Sequence, residues 1–290
     1  MSCPAHPIKR ERLNLLFPQW QGCGPTKAVY HGAKRIAEHL KEKLVFTQVG
    51  VSDQGQNEIE KGIFAYAPIV EQQDRCNTLI NSCRPDRILT IGGDCSVELA
   101  PVSYLNSRYQ KDLAVIWFDS HGDLNIPEES LSGHFHGMPL RVLLGEGDRR
   151  IVDACFSTLF PDQVILAGAR DFDAAEKEFV KQKRIQHWSV DEMTNELKSL
   201  AGWIKKQGFT KLYIHIDLDV MDPKEFPYVG YPVENGLPYE ALLGVISTLK
   251  NSFEIVGMSA VEFSLHKDLW HKGDSSVRMV EKILKTAGFL

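Results

Sequence analysis

Apolar and β-branched residues gather in short runs at Arg12–Phe17, 44–51, 87–91, Leu113–Phe118, 163–167, Lys211–Ile216 and 254–261, with a shorter one at 184–188. Several lack polar alternation, as expected of strands covered on both faces in a parallel sheet. Between them lie stretches of helical spacing: Ala33, Ile36, Ala37 and Leu40 share a face within 28–43, and 191–207 carries a similar stripe. The alternation of strand and helix predicts right-handed crossovers, in an open doubly wound sheet or in a closed eight-stranded barrel. Periodicity fits both. No repeat, low-complexity tract or Pro/Gly/Ser linker divides the chain, so one domain over residues 1–290 is expected.

In either architecture ligands collect at the carboxyl ends of strands, and acidic clusters fall there. Asp119, His121 and Asp123 follow one run, and Asp217 and Asp219 follow another. Alternate side chains of an extended segment share a face, so four carboxylates and one imidazole can converge. Carboxylates packed this closely repel unless they are protonated or share cations. Their number and hardness suit divalent ions such as manganese better than a lone structural zinc. Helix capping, a common role for Asp, would not need five such residues on two strands.

Composition narrows the setting. The chain has 290 residues, a net charge of -5 and no basic block, which argues against nucleic acid or an anionic membrane surface as partner. No apolar run approaches the roughly 20 residues needed to span a bilayer, and no leader pattern opens the chain, so the cytoplasm is the expected compartment. Cys3, Cys23, Cys76, Cys83, Cys95 and Cys155 lack the spacing of a zinc ribbon or disulfide scaffold and are read as reduced thiols. Asp171 beside Arg170 is read as a structural ion pair. His6, His31, His39, His187, His215, His266 and His271 are read as ordinary.

Further polar clusters are Gly92-Gly93-Asp94-Cys95-Ser96, Ser132-Gly133-His134-Phe135-His136-Gly137, Gly168-Ala169-Arg170-Asp171-Phe172-Asp173, and Glu262. In this order and spacing the motifs resemble the ureohydrolase family of arginases, agmatinases and formimidoylglutamases, and are most similar to the arginases. The resemblance implies a three-layer αβα fold with a mostly parallel, open eight-stranded sheet. It also implies two manganese ions, a small guanidino substrate and a homo-oligomer, trimeric or hexameric.

By the same resemblance Asp119 and Asp217 bridge the metals, His121 and Asp219 serve one ion, and Asp123, counted also as catalytic, serves the other. The family usually has histidine where Cys95 stands. A thiolate is a soft ligand that favours zinc or iron, so three outcomes are open: an altered metal, a weakened site completed by water, or loss of one ion. A weakened but occupied site is the favoured one. Glu262 matches the carboxylate that pairs with the guanidinium, and His136 the histidine that carries a proton to the departing amine. Asn125, Ser132 and Asp173 match contacts to the α-carboxylate and α-amino groups, while turn and cap chemistry accounts for them nearly as well. Two departures, His134 for an asparagine and Tyr231 for a threonine, predict a narrowed or reshaped substrate pocket.

The expected activity is hydrolysis of arginine to ornithine and urea. The alternatives are an agmatinase- or formimidoylglutamase-type hydrolase and, on the evidence of Cys95, a catalytically weakened regulatory relative. A metal-dependent deacetylase would need an adjacent pair of histidines, and the chain has none.

Overall fold

The computed structural model describes residues 11–53, 58–196, 198–265 and 274–290. Cys3, His6, His266 and His271 lie outside the described residues. In chain order the strands are β1 (Arg12–Phe17), β2 (Thr47–Gln48), β3 (Ile59–Glu60), β4 (Ile63–Phe64), β5 (Arg87–Gly92), β6 (Leu113–Phe118), β7 (Val164–Ala167), β8 (Gln186–Trp188), β9 (Lys211–Ile216) and β10 (Glu254–Ala260). All but β3 and β4, which make a small antiparallel pair, join one sheet in the order β2-β1-β5-β10-β9-β6-β7-β8. Every pairing in that sheet is parallel. The sheet is open, ending on β2 and β8, which settles the choice between sheet and barrel.

Strand periodicity sorts side chains between two cores. Leu113, Val115 and Trp117 of β6 face helices Tyr66–Cys83, Leu99–Tyr109 and Ala174–Lys183, whereas Ala114, Ile116 and Phe118 face Ala28–Leu40, Ser199–Gln207, Tyr239–Ser252 and Asp274–Thr286. Burial on both faces explains the unbroken apolar runs.

Two expectations shift. The run at 44–51 contributes only Thr47 and Gln48, both exposed on an edge strand that pairs with β1 alone. The helix expected over 191–207 forms as two, Val190–Asn195 and Ser199–Gln207. The Ser189 hydroxyl and the Glu192 carboxylate cap the first reciprocally, and Glu196 leaves helical geometry at φ -132. Among the described residues no helix is long and apolar enough to cross a membrane.

The four central strands, β5, β10, β9 and β6, deliver their carboxyl ends to one place. A Cβ on Gly93, just past β5, would stand 1.7 Å from the Gln19 carbonyl oxygen. Glycine therefore lets the turn carrying Asp94 and Cys95 close against the loop after β1. Glu262 N–H, just past β10, donates to the Gly93 carbonyl at 2.7 Å and ties the two strand ends together.

Candidate metal centre and active site

The acidic residues converge, but through turns and not by strand alternation. β6 stops at Phe118, so Asp119 to Asp123 lie in the following loop, with Asp123 at φ +53. β9 stops at Ile216, and Asp217 accepts from Asp219 N–H at 2.7 Å, capping the short 3-10 turn that follows. Capping and convergence thus coexist in one residue: Oδ1 of Asp217 caps, and Oδ2 accepts from the Cys95 thiol at 3.2 Å. Asp219 Oδ1 accepts from Ser120 N–H at 3.0 Å, linking the two loops.

Among the described residues two groups of potential ligands contain Asp119, with one donor atom from each residue of a group lying within 4.8 Å of the others. One comprises Asp119, His121 and Asp219, the His121 Nδ1 being 3.1 Å from Asp219 Oδ2 and 3.5 Å from Asp119 Oδ1. The other comprises Cys95, Asp119, Asp123 and His215. Cys95, Asp217 and Glu262 form a further group beside them. All the sequence-expected metal ligands are therefore brought together, and His215, read from sequence as ordinary, joins them. It stands two residues before Asp217, whose backbone is still extended as the chain leaves β9, so the two side chains fall on the same side.

The electrostatics are those of a cation site. Asp119, Asp123, Asp217, Asp219 and Glu262 are all buried. Among the described residues the bases in ion-pair range of Asp119, Asp219 and Glu262 are histidines, and no lysine or arginine reaches these carboxylates. Burial and the neighbouring Asp119 hold Asp123 well above the ordinary carboxylate range, and burial with Asp219 and Asp119 does the same for Asp217. Asp219 is raised by burial and Asp119. Burial opposes ionisation of Asp119 too, but His121 and His215 outweigh it and pull that group down. Burial disfavours the charged form of His121, yet Asp119 and Asp219 together push it up to about 12. Such a donor set, rich in hard oxygens and poor in fixed counter-charge, fits divalent cations.

Above this floor lies a cavity of about 250 Å3 lined by His121, Asp123, Asn125, Ser132, His134, His136, Asp171, Asp173, Asp217, Asp219, Tyr231 and Glu262. Every residue expected to touch substrate is in its wall. Asn125 donates to Asp173 Oδ2 at 3.0 Å, and Asp173 N–H is held by Glu176 at 2.9 Å. Ser132 Oγ accepts from His134 N–H at 3.1 Å. The ring of Tyr231 lies 4.9 Å from that of His136. His136 Nδ1 is 3.5 Å from Glu262 Oε1, and although burial pulls its pKa down, Glu262 raises it overall.

Glu262 is held at φ +62, a left-handed conformation costly for a residue with a Cβ. Cys23, unmarked in sequence beyond being a thiol, donates to its two oxygens at 3.0 and 3.2 Å. Cys23, Cys76, Cys83, Cys95 and Cys155 are all free. The ion pair expected between Arg170 and Asp171 does not form. Arg170 instead donates to the carbonyls of Glu234, Gly168, Val220, Asp219 and Val233, bracing the loops after β7 and β9.

Comparison with known proteins gives a consistent picture. The Arginase family model matches residues 22–287. An arginase of Staphylococcus aureus is 31% identical over 250 residues, 82% of each chain. The solved arginase of Entamoeba histolytica, in complex with L-ornithine, superposes with a TM-score of 0.85 at 21% identity, over 97% of this chain and 99% of that one. That of Bacillus caldovelox gives 0.79 at 22% identity, over 96% and 97%. The chain therefore belongs to the Arginase family, hydrolases of amidine carbon–nitrogen bonds.

Proposed function

We propose that this chain hydrolyses the guanidino group of arginine, or of a guanidino compound of similar length, to urea and an amine at a centre of two divalent ions, manganese by preference. The observation carrying this reading is the position of Glu262, a buried carboxylate at the cavity wall beside His136 and directly adjoining the ligand cluster. Asp119, Asp123, Asp217, Asp219 and His121 would hold the ions. Bound there, two divalent ions would supply a water of lowered pKa, towards about 7, as the nucleophile at neutral pH. Glu262 accepts from the guanidinium and fixes its carbon over the cluster without deprotonating it. His136, held next to Glu262, carries a proton to the departing nitrogen as the tetrahedral species collapses.

Asn125, Ser132 and Asp173 form the far wall and would receive the α-carboxylate and α-amino groups, favouring an amino acid over agmatine. Tyr231 supports a second reading, in which the native substrate differs from arginine in shape near the reacting end. Its ring overhangs His121 and His136, at 6.5 and 4.9 Å between centroids. Cytoplasmic residence and assembly as a homo-oligomer, trimeric or hexameric, accompany the proposal.

The test is turnover with manganese across arginine, agmatine, guanidinobutyrate and formiminoglutamate, with urea or formamide measured. Arginine as preferred substrate is expected. Glu262→Gln should lower kcat/KM by about 10- to 100-fold, the worth of a charged hydrogen bond, while retaining bound manganese. No turnover of any of the four compounds by manganese-loaded protein would refute the assignment and favour the regulatory relative.

A further inference from the structure

The centre contains two imidazoles, but the second enters from a different element than the one the motifs indicate. His215 is fully buried at the carboxyl end of β9, in register with Trp117 of β6. The two rings stack at 3.7 Å with planes 19° apart, which fixes the imidazole plane. One ring nitrogen faces away from the carboxylate cluster and one faces into it. Nδ1 lies 3.3 Å from Ser259 Oγ and 3.4 Å from Glu98 Oε1. Nε2 lies 3.8 Å from both Asp119 Oδ2 and Cys95 Sγ. Two donors each about 2.0 to 2.3 Å from one ion stand roughly 3 to 4 Å apart, so the separation from Asp119 Oδ2 is compatible with shared coordination, and that from Cys95 Sγ is simple contact.

Glu98 supplies the second observation. It is fully buried, and within hydrogen-bonding limits neither of its oxygens has a donor among the described residues. A buried carboxylate needs such a partner. Two buried donors stand beside it, the Tyr213 hydroxyl and Nδ1 of His215; a proton on Nδ1 turned to Glu98 leaves Nε2 unprotonated on the side of Asp119. Carboxylate, histidine and metal in a row is the arrangement that sets tautomer and basicity at metal sites. Size accounts for the residue at 95. Cys95 Sγ is already in van der Waals contact with Nε2, so a histidine side chain at 95 would compete for the same volume.

We propose that His215 is the imidazole ligand of the first ion, supplied from strand β9 in place of a ligand at position 95, with Glu98 as the residue that positions it. This rests on the two-ion reading above. The short side chain of Cys95 is then the condition for the relocation and not a sign of a failed site.

The experiment measures manganese bound per full-length chain after equilibrium dialysis, with calorimetric unfolding of the metal-free protein as a folding control. Wild type should hold two equivalents, His215→Ala one, and Cys95→Ser two. The exchanged double variant, Cys95→His with His215→Ala, should return to two. Glu98→Gln should weaken one of the two ions by about 10- to 100-fold. X-ray absorption at the manganese edge of wild type gives a reading independent of any variant: two imidazoles for two ions support the proposal, and one imidazole for two ions overturns it. Retention of two tightly held ions by His215→Ala overturns the proposal and leaves the hydrolase reading standing. Wild-type protein that takes up no manganese overturns both.

Discussion

Ser132 is the residue at which substrate class can be probed most cleanly. Its side chain is exposed at the rim and makes one local hydrogen bond, to His134 N–H, so its loss should leave the fold intact. If the far wall receives an α-carboxylate, Ser132→Ala should raise KM for arginine by about three- to tenfold, with kcat unchanged and agmatine, which has no carboxylate, unaffected. Equal effects on both substrates would place the carboxylate elsewhere. At this scale sequence was most informative where residue type and chemistry coincide: Asp, His and Glu at strand ends are hard to explain as core. It was least informative at His215, because a histidine inside Lys-Leu-Tyr-Ile-His-Ile looks like one more buried strand residue. The cue was relational, a missing imidazole at 95, after β5, and a spare one on β9, two strands away in the sheet. Cys23 could not be found by such reasoning, since its contact with Glu262 spans 239 residues of chain.

Elements, not residues, set the precision of the site. The turn after β5 sits where it does because Gly93 has no side chain to strike the Gln19 carbonyl. Gly93→Ala pits Cβ against backbone, which cannot rotate aside as a flexible side chain would. A loss of about 1 to 3 kcal/mol is expected in denaturant unfolding, together with weaker manganese retention, since Cys95 and Glu262 shift with the turn. Unchanged stability and metal content would show that the turn has slack. The strands of the main sheet and their order of appearance were legible from apolar runs because both of its faces are buried, whereas the small β3–β4 pair outside it had no run to mark it. Boundaries were not. The acidic loops carry on from strand to turn without a change in composition, and what ends β6 and β9 is hydrogen bonding by Asp119 and Asp217 to their own following backbone. Pattern also could not separate sheet from barrel, because closure depends on which strands become edges.

For the whole molecule, the buried charge makes stability depend on pH in an unusual direction. Asp123, Asp217 and Asp219 are raised in the fold, Asp94 is lifted by burial and Glu262 to about 6, and His121 is pushed up to about 12 by Asp119 and Asp219 against the effect of burial. Each of these groups binds its proton more tightly folded than unfolded. For the aspartates the stabilisation is complete below about 4 and is lost as pH rises through the folded values; for His121 it is complete below about 6.5 and declines from there as pH rises towards the folded value of about 12. The lowered Asp119 acts in the opposite sense, but only below about 4. Chelator-treated protein should therefore lose thermal stability from pH 5 to pH 8. Metal ligation requires the deprotonated carboxylates, so saturating manganese should stabilise by an increment that grows over the same interval. Calorimetry at three pH values with and without chelator checks both signs, and a chelated protein that is more stable at pH 8 than at pH 5 would contradict the buried-charge account.

The sheet order carries one more implication. β10, which begins at Glu254, inserts between β5 and β9, both translated earlier. Until the ribosome has released that last strand, its two neighbours present raw edges to each other across an empty slot, and Glu262 has not arrived. In a growing chain the wall that Glu262 contributes is therefore the last side of the cavity to be put in place, after the loops that follow β6 and β9.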